Sequence, residues 1–486
     1  MNWKAVLKIL GKILIAEAAM LLLPIIVAAI YGETTYWGFV IPILILLALG
    51  IPTYFLKADS EERKIYAKEG FLIVAFAWMA LAAIGAIPFV ITKSIPHYVD
   101  ALFETISGFT TTGASVLSDV ESLPRSILFW RSFTNWIGGM GVLVFVLAVL
   151  PRENSGIIHA FRAEATGPSV GKLTSKMGRT ARILYAIYFA LTLLEMLLLL
   201  FKMPVFDAVT TALANAGTGG FSVRNASIAA YNSLYIEIVI SVFMFLFSLN
   251  FNIYFLILTG HVLKGLKSEE AIVYTLTVVL SIFAIALNVY YTTAAAMHSF
   301  GEAMRYSSFQ VLSLSSTTGF SSYDYNSWPT LSKVIMLFLM MTGGMAGSTA
   351  GGIKMSRLMI LGKSTGADIR RMVHPREIVT VKLEGEPVHQ ATIQNVRTFF
   401  VTWVAILIVC TLLISVVDYT DDFLTNFSAS LSCVSNIGPG FNGVGPAANF
   451  AEYSYFSKIV LSVEMLFGRL EIFPLIVLFS PATYSK

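Results

Sequence analysis

Four short turns in this chain set glycine among hydroxyl and small polar residues: Thr110-Thr111-Thr112-Gly113, Gly217-Thr218-Gly219-Gly220, Ser316-Thr317-Thr318-Gly319 and Ser435-Asn436-Ile437-Gly438. Glycine tolerates a positive φ and a close backbone approach. Successive carbonyls of such a turn can therefore point one way, toward a shared axis. Four of these loops around one axis carry enough oxygens to replace the water shell of a monovalent cation such as potassium. The Thr and Ser hydroxyls add ligands or pack behind the turns. One turn of this kind is an ordinary loop signal; four at equivalent places are a constellation. The chemistry it suits is coordination and release, with no bond made or broken.

The elements around the turns recur with them. Each turn follows a semi-polar stretch, at 98–109, 204–216, 300–315 and 421–434. Each stretch is too short and too polar to span a bilayer, yet too apolar for a surface loop, which is how a re-entrant half-helix reads. A half-helix ending at the axis presents the negative end of its dipole to a cation. Apolar runs at 8–30, 37–56, 71–93, 126–150, 181–202, 233–260, 271–292, 331–361, 396–417 and 455–480 give about ten spanning helices. The first run lacks a small-residue cleavage site and reads as a retained helix.

The four glycines lie 107, 99 and 119 residues apart, so the unit is helix, half-helix, turn, helix. Each unit enters and leaves on one side, which makes the repeats parallel. The expected fold is all-α and membrane-integral, with four such repeats around a pseudo-fourfold pore behind an N-terminal hairpin. The divisions are 1–69 for the hairpin, then 70–180, 181–270, 271–394 and 395–486 for the four repeats.

Composition agrees with that architecture. Of 486 residues, 56% are hydrophobic and only 13% charged, with a net charge of +4, against about 25% charged in soluble chains. With the N-terminus cytoplasmic, 24 of the 33 Lys and Arg fall on the cytoplasmic side, which the positive-inside rule favours. Both termini are then cytoplasmic and the turns face outward. Nucleic-acid binding would need a basic soluble face with aromatics, and no such segment is present. An intramembrane enzyme would need paired Asp, a Ser–His pair or a His/Glu metal set, and the chain has none. Cys410 and Cys433 read as small buried hydrophobes.

Three further features bear on transport. The run Thr342–Lys354 carries Gly343, Gly344, Gly347, Gly351 and Gly352 inside the second helix of the third repeat. Glycine costs a helix about 1 kcal/mol relative to alanine, so this stretch is expected to break and line the pore as a gate. The alternative is a small-residue packing face. Arg469 lies deep in the last apolar run, either as a positive charge in the pore or paired with Glu471 or Glu464. Acids near the half-helix starts (Asp100, Glu104, Asp207, Glu302, Asp421, Asp422) chiefly suit the helix dipole. The basic loops 151–182 and 362–394 are longer than helix connections require and suit either lipid contact or a cytosolic partner.

These turns, the glycine-rich interruption and the late arginine resemble the Trk/Ktr/HKT superfamily of potassium transporters, most closely its bacterial TrkH members, over nearly the whole chain. The resemblance implies a K+-selective filter at the sixteen turn residues, with the fourth turn centred on Gly438 or, alternatively, Gly440. It implies a gating loop over 343–354 and a pore role for Arg469. A homodimer in the bacterial inner membrane is also implied, with a cytosolic nucleotide-binding ring of the TrkA type as regulatory partner. Nucleotide would act only through that partner, and K+ would be the bound and transported ion. Glycine at 113, where some relatives carry serine, implies potassium rather than sodium. Two mechanisms stay open: a gated channel-like pore, or a symporter coupling K+ to H+ or Na+.

Overall fold

The computed structural model describes residues 3–56, 67–141, 177–292, 299–418 and 422–481. The basic loop expected at 151–182 lies almost wholly outside them, as does Asp421. An N-terminal hairpin comes first, with α1 (Trp3–Met20) continuing into α2 (Leu22–Tyr31) and returning as α3 (Tyr36–Tyr54). Four groups of helices follow in a recurring order. The first is α4 (Ala67–Gly85), α5 (Ile87–Ile91), α6 (Tyr98–Phe109) and α7 (Arg125–Gly139). The second is α8 (Met177–Leu199), α9 (Val205–Ala216), α10 (Leu234–Ser248) and α11 (Phe251–Leu258), trailed by the short α12 (Val262–Leu266). The third is α13 (Glu269–Thr292), α14 (Phe300–Ser315), α15 (Thr330–Thr342) and α16 (Met355–Val373). A hairpin of β1 (Lys382–Leu383) and β2 (Glu386–Pro387) pairs antiparallel with Lys382 opposite Pro387. The fourth group is α17 (Gln390–Val417), α18 (Phe423–Ser435), α19 (Tyr455–Arg469) and α20 (Phe473–Phe479).

Among the described residues six helical runs are long and apolar enough to cross a membrane: Trp3–Tyr31, Tyr36–Tyr54, Glu69–Ile91, Ala181–Leu199, Glu269–Thr292 and Gln390–Val417. A bent pair, α10 and α11, adds a seventh. The apolar runs predict about ten spanning helices, with an interruption only in the third repeat; among the described residues the structure has fewer continuous spans and more interruptions. The continuous helices are the hairpin and the outer helix that opens each group; the inner helix that closes the second, third and fourth groups is broken, and that of the first ends at Gly139, two residues before the described segment stops. The turn between α10 and α11 bends the chain by 90°, α15 stops at Thr342, and α19 stops at Arg469 before α20 resumes. α7 stops at Gly139, and Gly141 behind it has φ +76°. The basic stretch 362–394 is likewise corrected from a long loop, being helix as far as Val373 and then hairpin.

Side-chain burial explains the arrangement. α17 turns Val401, Ile408, Leu412 and Val416 outward and exposed, while Trp403, Leu407 and Ile414 are buried. A large exposed apolar face is a liability in water and is the ordinary surface in hydrocarbon. Inner and half-helices bury polar side chains instead, Ser126, Ser132, Thr134 and Asn135 on α7 among them. Such residues are tolerated where protein or water surrounds them. One buried cluster joins the hairpin, the first group and part of the fourth; a second joins chiefly the third and fourth; a third centres on the second group and takes in Phe309 and Phe320 of the third.

Candidate functional site: a ring of four turns over a layer of broken helices

Each half-helix ends inside its turn, α6 capped at Thr110, α9 at Gly217, α14 at Ser316 and α18 at Asn436. The starts are held by local chemistry. Asp422 accepts the Thr425 N–H and Ser299 accepts the Glu302 N–H, filling the unpaired donors of the first turn. Asp100 pairs with Lys458 at 2.7 Å and Asp207 with Arg224 at 2.9 Å. Glu104 stands apart from the other acids, buried within α6.

The four turns share one backbone shape. The second residue is left-handed in each, with φ of 56° at Thr111, 53° at Thr218, 57° at Thr317 and 55° at Asn436. The fourth residue is also at positive φ: 79° at Gly113, 67° at Gly220, 80° at Gly319 and 104° at Gly438. The third N–H of each turn returns to its half-helix, from Thr112 to Ser107 O, Gly219 to Ala214 O, Thr318 to Ser313 O and Ile437 to Ser432 O, at 2.8–3.0 Å. Gly440 lies elsewhere, against Ser428 of α18.

The turns also abut in cyclic order. A Cβ placed on Gly113 would fall 1.9 Å from the Gly219 carbonyl oxygen, and one on Gly220 would fall 1.9 Å from that of Thr318. The corresponding distances are 2.0 Å from Gly319 to the Ile437 oxygen and 2.6 Å from Gly438 to the Thr112 oxygen. Every oxygen contacted belongs to the residue before the next glycine, so the four turns close a ring from first to second to third to fourth to first. Only glycine fits there, both for φ and for space.

Behind the ring the fourfold pattern weakens. Opposite turns one and three each carry a hydroxyl pair, Thr110–Thr112 and Ser316–Thr318, both at 2.8 Å. Turn two has glycines at those positions, and Asn135 of α7 fills the space, its Cγ 2.4 Å from where a Gly219 Cβ would sit. Asn436 of turn four donates to Thr112 Oγ1 at 3.0 Å and to the Met465 carbonyl at 2.9 Å. Glu104, fully buried, accepts from Arg131 Nε at 2.8 Å, Ser115 Oγ at 2.9 Å and the Val116 N–H at 2.9 Å. Arg131 continues to the Ser222 carbonyl at 3.1 Å and lies 4.2 Å over the Phe221 ring, joining the exits of turns one and two.

An outer rim repeats the stitching. Val120 N–H donates to Asn225 Oδ1, Ala229 N–H to Ser321 O, Asn442 N–H to Asn326 Oδ1, and Phe450 N–H to Ser115 O. At this rim the Asn225 side chain, then Ser122, hold the Asp119 carboxyl below the usual carboxylate range. A carboxylate that accepts hydrogen bonds favours its charged form.

Directly beneath the ring, the four inner-helix breaks meet. The glycine-rich segment 343–354 touches it: Gly351 N–H donates to Thr317 Oγ1 at 2.7 Å, and a Gly351 Cβ would fall 2.2 Å from the Ser435 oxygen. Gly343 and Gly352 fold against each other, Gly344 packs on Ala350, and Gly347 lies against Asn250. The segment satisfies the carbonyls freed at the end of α10, with Met345 N–H on Ser248 O at 3.0 Å and Thr349 Oγ1 on Phe247 O at 3.1 Å. In return Phe251 N–H donates to Gly347 O at 3.0 Å. Arg469, at the end of α19, donates to Thr349 O at 2.9 Å, to Gly139 O at 2.7 Å and to Gly138 O. One arginine therefore spans the third, fourth and first breaks, while the loop spans the third and second. Of the two acids weighed as its partners, Glu471 pairs with Arg357, and Glu464 takes the Ser430 hydroxyl at 2.6 Å.

All sixteen turn residues and the five loop glycines thus come together in two stacked layers, with Arg469 on the lower one. Asn135, Arg131 and Glu270 belong to the same assembly and were passed over in the sequence, while Glu104, read there as an acid suiting a helix dipole, is instead the buried partner of Arg131. Arg131 and Asn135 carried a signal, ionisable and polar side chains inside the apolar run 126–150, whereas Glu270 sits just ahead of the run 271–292. Glu270 accepts the Ala346 N–H at 2.8 Å and the Ser356 N–H at 2.9 Å, one on each side of the last glycines.

The overall fold is shared with known proteins. Residues 38–485 match the TrkH family, described as cation transport protein. The chain is 34% identical to the Trk system potassium uptake protein TrkH of Escherichia coli strain K12, covering all of both chains. It is 32% identical to the Trk system potassium uptake protein TrkG of the same strain, over 94% of this chain and 93% of the other. The crystal structure of the potassium transporter TrkH from Vibrio parahaemolyticus superposes with a TM-score of 0.88 over the full length of both chains, at 32% identity.

Proposed function

The chain belongs to the TrkH family of cation transport proteins, and from that premise we propose that it takes up potassium through a gated, K+-selective, channel-like pore. The observation that carries the reading is the closed ring of four left-handed turns, each glycine seated on the carbonyl of the next. Backbone oxygens held at that spacing can replace the hydration shell of an ion and pass it from site to site. The four half-helices add the negative ends of their dipoles. No step is chemical, and the family is one of transporters, not enzymes.

The loop 343–354 acts as the gate under this reading. It sits immediately below turns three and four, it is glycine-rich, and its bonds are single hydrogen bonds that can exchange for water. Arg469 holds it shut by bridging Thr349 to the end of α7. Movement of ions is then driven by the membrane potential, worth about 2.3 kcal/mol per charge per 100 mV. The protein is proposed to sit in the bacterial inner membrane with both termini cytoplasmic, as a homodimer. A cytosolic nucleotide-binding ring is proposed to open it.

The test is uptake of radioactive rubidium into liposomes holding the purified protein, with a potassium gradient and no sodium or proton gradient. Uptake competed by K+ and far less by Na+ is expected. Uptake that requires stoichiometric Na+ or H+ would replace the pore with a symporter. Silence that only the cytosolic ring and a nucleotide relieve would keep the pore and assign its gating to that partner.

A further inference from the structure

The glycine-rich loop is tied to the cytoplasmic end of the third group by a relay of carboxylates. Glu270, at the start of α13, is almost fully buried. Its Oε1 accepts both the Ala346 N–H of the loop and the Ser356 N–H in the first turn of α16. A single oxygen thus clamps the loop to the helix that follows it. The backbone of the same residue is held from the other side. Glu384, at the tip of the β1–β2 hairpin, accepts the Glu270 N–H at 3.1 Å, the Glu269 N–H at 3.0 Å and the Ser268 hydroxyl at 2.7 Å. Those are the unpaired donors of the α13 N-terminus, where an anion is favoured. The Glu384 N–H returns to Glu269 Oε2 at 3.2 Å. Lys363 of α16 closes the triangle, reaching Glu269 and donating to the Lys382 carbonyl of β1 at 2.9 Å.

The hairpin is anchored on one side by buried Val381 and Leu383, and its tip is the part left open to a partner. Its tip carries Gly385 at φ +82° and Glu384 at φ 54°, and Gly385, Glu386 and Pro387 are all exposed. Its hold on α13 consists of a few charge-assisted bonds at a half-exposed junction, which water competes with easily. The bonds Glu270 makes to the loop are buried and harder to replace. A pull on the hairpin therefore frees the α13 N-terminus first and then shifts the residue that clamps the loop.

We propose that Glu270 is a positioning residue for the gate and that the Glu384 hairpin is the lever that sets it, so that displacing the hairpin from the α13 N-terminus loosens residues 343–354. This rests on the reading of that loop as the gate. A cytosolic partner acting on the exposed hairpin would open the pore without touching the ion path.

The experiment compares Glu270→Ala, Glu270→Gln, Glu384→Ala and Glu384→Asp in two readouts on the full chain. Rubidium uptake without any partner is expected to rise about tenfold in Glu270→Ala, the scale of one lost charge-assisted bond. The rise is smaller in Glu384→Ala, and Glu384→Asp returns toward the parent. Glu270→Gln, which keeps an acceptor oxygen, falls between parent and alanine. The Glu270→Ala, Glu384→Ala pair together should exceed Glu270→Ala alone by little, since they act in series. Hydrogen exchange on the detergent-solubilised protein is independent of flux: amides of 343–356 should exchange faster in Glu384→Ala while those of the four turns stay protected. Unchanged exchange in that segment overturns the lever. A chain lacking 345–350 separates the two readings. If its basal uptake does not rise, the gate assignment fails; if it rises while the glutamate variants match the parent in both readouts, the relay alone fails.

Discussion

The outer and inner helices of the four groups follow opposite rules. Each outer helix is a continuous apolar run of 19–28 residues, set by lipid on one side and packing on the other. Each inner helix starts in the same way and breaks within about four turns, at Gly139, Ser248, Thr342 and Arg469. A helix that only spans has no reason to stop, because every freed carbonyl at that depth needs a partner. Here the partners are the other breaks. The Gly138, Gly139 and Thr349 carbonyls converge on Arg469, and those of Phe247 and Ser248 on the glycine-rich loop. Interruption in this molecule is collective, and it lies in one layer beneath the ring.

The largest break in that contrast should come from Arg131→Met on α7. It strands the fully buried Glu104, and removing one partner of a buried pair costs about 3–5 kcal/mol. The expected result is a large drop in thermal unfolding temperature, read by tryptophan fluorescence; a temperature within a degree or two of the parent would count against the pair as a support of turn one. Next comes the ring. Gly220→Ala puts a Cβ 1.9 Å from a backbone oxygen at positive φ, and strain plus overpacking of about 1–3 kcal/mol each should cut rubidium uptake by about a hundredfold. The same change at Gly438 meets its oxygen at 2.6 Å and should cost less. Equal losses at the two sites would mean that the fourth junction is no looser than the second.

A smaller effect is expected at the layer below. Arg469→Ala releases three carbonyls at once and should raise uptake at rest about tenfold, the scale of a charge-assisted bond, with Arg469→Lys between the two. Uptake at or below the parent level in both variants would remove Arg469 from the gate. The smallest effect belongs to an outer helix. Leu412 of α17 is 61% exposed, and Leu412→Ala should shift stability by no more than about 0.5 kcal/mol and leave uptake unchanged. A marked loss there would show that the outer face meets something other than lipid.

Much of this was legible in the sequence because turns and half-helices are written locally. Thr and Ser before a glycine, after a short amphiphilic run, mark both the end of α6, α9 and α14 and the left-handed residues beyond. The fourth turn was harder to read, since Asn436 supplies the left-handed residue and Pro439-Gly440 offers a competing register. The inner breaks were only partly legible. The third advertises itself with five glycines, and the end of α7 with Gly138, Gly139 and Gly141; the second falls at Leu249-Asn250, where no glycine or proline interrupts the pattern, and the fourth rests on positive φ at Glu471 and Ile472. Those conformations are imposed by partners far along the chain, and hydropathy sees only an apolar run. The relay from Glu384 to Glu270 spans more than a hundred residues and leaves no trace in spacing.

That one chain supplies all four turns has a consequence for how such a pore can change. In a ring assembled from four copies, a mutation arrives in every quadrant at once, and its energetic effect is multiplied accordingly. Here a substitution alters a single quadrant, so under the proposed pore reading the binding energy of an ion changes one quadrant at a time while three intact quadrants keep the pathway. The differences already visible, a hydroxyl pair behind turns one and three, a bare backbone in turn two and an asparagine in turn four, are what accumulates when each quadrant is inherited separately.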